Sequence, residues 1–189
     1  PLATEDDMLK YAFALFLNHD FEKSLQVAQK GLQKNARHAA FNRLVMYNNV
    51  DLKCYDEAEK AADAFFNASD NADYSCLDYR YHGALLSALK KYDQAIEEYG
   101  RALEKDESQV DLWREIADAY ELKNDYTQAI AAYKKYYDSL AQDKKTSENL
   151  FQLGRLYYGE GTSSDTLSVQ SADRMAALQA ADSVFALVA

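Results

Sequence analysis

The chain has 189 residues, a formal net charge of −10 at pH 7 and 48% hydrophobic residues, which is typical of a folded domain or a short repeat array and excludes a disordered chain. No apolar run reaches the roughly 18 residues that a membrane-spanning helix needs, and an acidic chain with dispersed Lys and Arg is a poor binder of nucleic acid. One Pro and six Gly are too few for an all-β fold or for a Gly-rich nucleotide-binding fold, so the composition predicts an all-α protein.

Four similar segments recur along the chain, and each begins with an aromatic residue that is followed three positions later by a small one. The pairs, in chain order, are Phe21 and Ser24, Tyr55 and Ala58, Tyr92 and Ala95, and Tyr126 and Ala129. The spacings between the aromatic residues are 34, 37 and 34 residues, and Ala181 marks a fifth copy. A period of about 20–50 residues indicates a solenoid or another repeat array.

A second segment with apolar residues at steps of three and four precedes each of these segments, so the repeating unit is helix, short turn, helix. The five predicted copies are residues 5–38, 39–72, 76–109, 110–143 and 147–189. A single pair of short helices cannot bury its own apolar face, whereas stacked pairs form a continuous core. We therefore expect one array that occupies residues 1–189.

The copies resemble the tetratricopeptide repeat (TPR) family, whose pattern is W-x2-L-G-x2-Y, then A-x3-F, over 34 residues. The best copy carries the pattern at Trp113, Ile116, Ala117, Tyr120, Ala129 and Tyr133. The resemblance implies a right-handed α-solenoid of antiparallel helix pairs. It also implies a protein–protein interaction scaffold that binds a peptide or helix of a partner in its concave groove.

The chain departs from the family pattern in three places. Met46 stands where the pattern has Gly, which predicts more open packing in the second repeat. Residues 159–173 are extra and rich in Gly, Ser, Thr and Asp, so we expect an exposed loop there. Ala189 falls inside the last predicted helix, which suggests a fragment of a longer chain or an uncapped end that self-associates.

The resemblance also implies which residues face the concave groove, because defined places of each first helix point inward in the family. Carried onto this chain, those places give the predicted ligand-binding residues Arg43, Tyr47, Arg80, Arg114, Asp118, Arg155 and Tyr158. Arg43, Arg80 and Arg114 would form a row able to hold an acidic segment of a partner through bidentate contacts. The alternative is a solvated face on which Asp118 pairs with Arg114 four residues earlier.

Sequence signals of catalysis or metal binding are absent. The three histidines are far apart, no paired-Cys spacing exists, and Glu160 follows Gly159 where a phosphate-binding loop needs Lys. We therefore predict no enzyme and no cofactor, and two separate thiols at Cys54 and Cys76.

The sequence also bears on a second function and on the location of the protein in the cell. The second functional hypothesis is a structural or assembly module that joins domains or subunits of a larger protein. The Tyr-, Ser- and Asp-rich composition is similar to that of exported bacterial TPR proteins, which favours an exported or periplasmic location over a cytoplasmic one.

Overall fold

The computed structural model describes residues 4–70, 72–162 and 171–188, with side chains from 175 onward in the last range, and these residues form ten α-helices and no β-strand. In chain order the helices are α1 Glu5–Leu17, α2 Phe21–Lys34, α3 Ala39–Asp51, α4 Tyr55–Asp63, α5 Cys76–Ala88, α6 Tyr92–Lys105, α7 Asp111–Leu122, α8 Tyr126–Ser139, α9 Ser147–Thr162 and α10 Ser171–Ala186. A π-helical segment, Ala64–Ala68, continues α4, and a 3-10 turn, Gln142–Lys144, precedes α9. The all-α prediction is confirmed.

The helices form two compact units, residues 1–91 with α1 to α5 and residues 92–189 with α6 to α10. Within each unit most consecutive helices pack on one another, with α9 and α10 forming the most extensive pair. The short connections make neighbouring helices antiparallel. The predicted third repeat, residues 76–109, contributes α5 to the first unit and α6 to the second.

The core of the first unit is built by α1 to α5 around fully buried rings. Phe41 and Phe65 are 0% exposed, and Met46, which predicted open packing, is also 0% exposed. A buried hydrogen-bond chain joins three helices, because Ser24 Oγ donates to the Ala12 carbonyl at 2.8 Å and Asn48 Nδ2 donates to Ser24 Oγ at 2.9 Å. The second repeat is therefore closely packed, and the expectation drawn from Met46 is wrong.

Glycines in both units allow an aromatic ring to approach a helix closely. A Cβ at Gly31 of α2 would overlap the Phe41 ring, and one at Gly159 of α9 would overlap the Tyr126 ring. A Cβ at Gly154 would lie 2.6 Å from Phe185 of α10, so the close packing of α9 and α10 requires a residue without a side chain there. Any larger residue at these three positions forces the ring or the helix to move.

The loop predicted at residues 159–173 is helical at both of its ends. Residues up to Thr162 belong to α9, and α10 begins at Ser171, because the helical pattern continues through Gly159 and Gly161. Residues 163–170, the centre of the predicted insertion, lie outside the described residues.

Four turns between helices contain a left-handed residue although none of these residues is glycine. Their φ angles lie between 59° and 64°, and the residues are His19, Lys53, Lys90 and Asn124. In each turn the N–H of the next residue returns to a carbonyl five residues earlier, at 2.8–2.9 Å, as in the Schellman motif. The backbone conformation and hydrogen bond of the turn therefore recur between the helices, although the left-handed residue is not always the same amino acid.

Replacing Lys53 by Gly is expected to raise the free energy of unfolding by about 0.5–1 kcal/mol, because Gly adopts the left-handed conformation without the steric cost of a Cβ. Equilibrium urea unfolding measures the change. Lys30→Gly is the matched control, since Lys30 is exposed in the middle of α2, and we expect it to lose about 1 kcal/mol. Destabilisation by Lys53→Gly would contradict a strained turn.

Candidate functional site

Two of the predicted groove residues in the first unit bind a buried carboxylate instead. Asp78 of α5 is 0% exposed, and its Oδ1 accepts a hydrogen bond from Tyr47 Oη and another from Arg43 Nε, both at 2.7 Å. Its Oδ2 accepts from Arg43 Nη2 at 3.0 Å and from the N–H and Oγ of Ser75, both at 2.7 Å. These contacts, which we call the Asp78 hub, tie α3 to α5 and cap the first turn of α5.

The hub corrects the assignment of Tyr47. Its side chain is 1% exposed, so it cannot line an open groove, and burial together with the Asp78 charge raises the pKa of Tyr47 well above its usual range. The hydroxyl therefore stays protonated and donates. The Tyr47 ring stacks on Tyr81 at 4.1 Å between centroids. Sequence reasoning missed Asp78, although the spacing S-x-x-D from Ser75 is a capping-box signal.

The predicted arginine row is divided between the units. The Arg43 side chain is 30% exposed, and its guanidinium forms an ion pair with Asp78. Arg80 lies half-buried on α5. Arg114 belongs to the second unit. Arg43 is thus a partly exposed cation that joins α3 to α5, and a continuous row remains a prediction.

The second unit contains a polar cavity of about 450 Å³ that includes two predicted residues, Arg114 and Asp118 of α7. Its remaining lining residues come from α8, from the residue before α9 and from the first turns of α9, and they are Tyr133, Tyr136, Thr146, Glu148, Asn149 and Gln152. We call this cavity the α7–α9 pocket. Phenol, amide and hydroxyl groups dominate its surface, so it can offer hydrogen bonds in several directions.

The charges of the pocket are only partly compensated. The Arg114 guanidinium lies 5.8 Å from the centroid of the Tyr136 ring, and within the described part of the chain it forms no ion pair. The alternative in which Asp118 pairs directly with Arg114 is therefore not observed. The Asp118 side chain is exposed, but it lies in a concave region where surrounding protein displaces part of its water. This loss of solvation raises the pKa of Asp118, and the positive charge of Arg114 lowers it.

The start of α9 is fixed by a side-chain cap that also reaches the pocket. Asn149 Oδ1 accepts hydrogen bonds from the N–H of Thr146 at 2.9 Å and from Thr146 Oγ1 at 3.0 Å. Burial raises the pKa of Tyr133, and a hydrogen bond from Asn149 opposes this shift. The amide is thereby oriented before any ligand binds.

The other two predicted residues of the second unit lie outside this pocket. Arg155 of α9 forms a bidentate pair with Glu121 of α7, at 2.6 Å and 2.8 Å, and so joins α9 to α7. Tyr158 is 55% exposed. Arg155 therefore has a partner within the protein, whereas the Tyr158 ring is open to solvent.

The described residues also bear on metal binding, membrane crossing and disulfide formation. Across residues 4–70, 72–162 and 175–188 no three His, Cys, Asp or Glu side chains are arranged to hold a metal ion. None of the described helices combines the length and the apolar character that crossing a bilayer requires. Cys54 and Cys76 are not joined in a disulfide, as the sequence predicted.

Comparison with known proteins finds one family model and several solved structures that are similar to this chain. Residues 82–144 match the family model of the tetratricopeptide repeat, and no curated protein sequence matches the chain. Among solved structures, the chain is similar to the C-terminal part of a TPR repeat-containing protein from Cytophaga hutchinsonii, with 21% identity, a TM-score of 0.73 and coverage of 95% of this chain. The chain spans 63% of the length of that structure.

Two further structures are similar over most of both chains. A MamA fragment from Desulfovibrio magneticus RS-1 has 14% identity and a TM-score of 0.69, and covers 99% of this chain and 97% of its own. YrrB, described as a TPR protein with an unusual peptide-binding site, has 15% identity and a TM-score of 0.68, and covers 94% of this chain and 84% of its own. At these identities the likeness concerns the fold, and it confirms the predicted class, an all-α solenoid of antiparallel helix pairs.

Proposed function

We propose that this chain, whose residues 82–144 match the tetratricopeptide repeat model, is an interaction scaffold whose α7–α9 pocket binds an extended segment of another protein. The observation that carries the proposal is Arg114, a cation without an ion pair among the described residues, in a pocket whose amides are already oriented. A binding site for a peptide in YrrB supports the same use of the fold.

The chemistry of the pocket favours an extended peptide with one acidic side chain. Arg114 matches a carboxylate, which guanidinium groups bind through two parallel hydrogen bonds. Asp118 and Glu148 make a uniformly acidic ligand unfavourable, because they would repel further carboxylates. The oxygens of the two pocket amides are already bonded within the protein, Asn149 Oδ1 to Thr146 and Gln152 Oε1 to Arg155 Nε at 3.1 Å. Their NH2 groups are therefore the ones that can donate to the C=O groups of an extended backbone. The partner is thus a peptide with an acidic position, narrower than the acidic segment expected from the sequence.

Peptides selected by the chain from a random library are expected to share one Asp or Glu position. We expect Arg114→Glu to weaken the binding of a selected peptide at least about tenfold, which is about 1.4 kcal/mol, because the reversed charge repels the carboxylate. Isothermal titration calorimetry measures the affinities. Lys134→Glu changes the net charge equally at an exposed position outside the pocket and should leave the affinity unchanged. Equal binding by wild type and Arg114→Glu would remove the pocket from consideration.

A second candidate, an assembly module, is favoured by apolar side chains exposed on α1 and near the end of the described chain. Leu17 is 61% exposed and Leu187 is 72% exposed. If these faces join copies or neighbouring domains, the sedimentation coefficient of the chain should rise with concentration, and Leu17→Glu or Leu187→Glu should suppress the rise. A concentration-independent monomer would exclude association of copies.

A further inference from the structure

A second cavity in the second unit is a groove of about 610 Å³ along α6, α7 and α8. One wall is α6, from Ile96 to Glu104, and the other is α8, from Gln128 to Lys135. At a rise of about 1.5 Å per residue the walls are about 10–12 Å long, which is two turns of a bound helix. We call this cavity the α6–α8 groove.

The groove is separate from the α7–α9 pocket. Its floor is formed by Trp113, Ile116 and Tyr120, which recur at steps of three and four along α7. Arg114 and Asp118 of the pocket project from the other side of the same helix, because successive residues of an α-helix are turned by about 100°. A ligand of one cavity therefore does not occupy the other.

Gly100 lies in the middle of the α6 wall, and no contact with the described residues requires a glycine there. A Cβ at Gly100 would meet no atom of the described residues within 4 Å, whereas those at Gly31, Gly154 and Gly159 would overlap aromatic rings. Glycine in a helix interior destabilises the helix relative to alanine. The missing side chain leaves the centre of the groove open, and Ala131 and Ala132 keep the facing wall low.

The groove floor is apolar, and its charged lining residues are two carboxylates and one lysine. Trp113 is only half-buried, and the Lys135 ammonium covers its ring at 4.1 Å from the centroid. Glu104 and Glu107 are the exposed carboxylates of the groove, and within the described residues neither forms an ion pair. An apolar floor with small residues in the walls suits side chains at positions i, i+3, i+4 and i+7 of an amphipathic helix.

We propose that the α6–α8 groove binds an amphipathic helix of a partner protein, with aliphatic side chains on Trp113 and Ile116 and a Lys or Arg at Glu104 and Glu107. The charge decides between this occupant and a second copy of the chain. A net charge of −10 makes two copies repel each other, whereas a basic helix is attracted.

Trp113 is the one tryptophan of the sequence and lies in the groove, so its fluorescence reports on occupancy directly. The probe is a peptide of about 15 residues made of Leu and Lys, with Leu at helical spacing. Two control probes are a shuffled peptide of the same composition and a peptide with Glu in place of Lys. We expect saturable binding and a blue shift of the Trp113 emission with the first probe, and at least tenfold weaker binding with the other two.

Gly100→Leu places a large side chain in the groove from a position where a Cβ has open space, and it is expected to weaken binding of the first probe at least tenfold. Gly100→Ala adds a single methyl group and should give a smaller loss, and both variants should keep the wild-type circular dichroism spectrum. Gln94→Leu is the matched control, because Gln94 is exposed on α6 outside the groove. It should bind within about twofold of the wild type.

Several results would overturn the proposal. These are equal binding by Gly100→Leu and Gln94→Leu, equal binding of the shuffled probe, which would mean attraction by charge alone, and no saturable change with any probe. A Trp113 emission that shifts with protein concentration in the absence of peptide would assign the groove to a second copy. Because Arg114→Glu leaves the groove intact, it should not affect this titration, so the groove and the pocket are tested independently.

Discussion

Replacing Phe41 by Ala is expected to lower the free energy of unfolding of the first unit by about 3–5 kcal/mol, because the ring is fully buried and leaves a cavity that the helices cannot close. Denaturant unfolding followed by circular dichroism measures the loss. Phe13→Ala, at a ring that is 46% exposed, should cost much less. Similar losses for both variants would contradict the burial of Phe41 between α2 and α3.

The contact between Phe41 and Gly31 gives this prediction a sharper form. Gly31→Ala alone should destabilise the protein by about 1–3 kcal/mol, because its Cβ overlaps the Phe41 ring. In the Phe41→Ala background the overlap is gone, and the higher helix propensity of Ala should make Gly31→Ala stabilising by about 0.5–1 kcal/mol. A change of sign between the two backgrounds identifies the ring as the reason for the glycine.

Asp78→Ala is expected to lower the free energy of unfolding by about 3 kcal/mol. The substitution removes the α5 cap and leaves two donors without their acceptor, the buried Tyr47 hydroxyl and the Arg43 guanidinium. The partial exposure of Arg43 keeps the loss from being larger, since water can solvate part of its charge. Urea unfolding at neutral pH measures the change.

Asp73→Ala is the matched control for the Asp78 hub. Asp73 is an exposed carboxylate five residues earlier, and Arg43 contacts it only through its carbonyl, so we expect a change below about 0.5 kcal/mol. A loss at Asp78 no greater than at Asp73 would mean that the hub does not contribute to stability. If the hub stabilises as expected, Arg43→Glu will also destabilise the first unit. Arg114 is therefore the better position at which to test peptide binding by charge reversal.

The sequence predicted the helix pairs well because burial in stacked helices repeats along the chain. Aromatic residues such as Tyr92 and Tyr126 and small ones such as Ala95 and Ala129 mark the start and the contact face of the second helices, and these features are local. The left-handed turns were not predicted, because Lys53 and Lys90 carry no sequence signal for a positive φ. Their conformation follows from the helices on either side.

The binding residues were harder to predict because their roles depend on partners about a repeat away. Family position placed Arg43 and Tyr47 on an inner face, but both side chains bind Asp78, more than 30 residues later, and Tyr47 is buried. Arg155 likewise forms an ion pair with Glu121, a residue of the preceding repeat. Spacing within one helix cannot reveal such contacts, since they arise only when neighbouring repeats stack.

The turn between α3 and α4 also makes site-specific chemistry practical. Cys54 is exposed in this turn, directly after the left-handed Lys53, and its N–H is held by the Asn49 carbonyl at 2.8 Å. Cys76 is half-buried, and a thiol that is less accessible reacts more slowly with an alkylating reagent. A fluorophore or a sensor-surface linker can therefore be attached at one defined, rigid position. The modification is confined to the first unit, so the pocket and the groove of the second unit keep their native side chains during binding measurements.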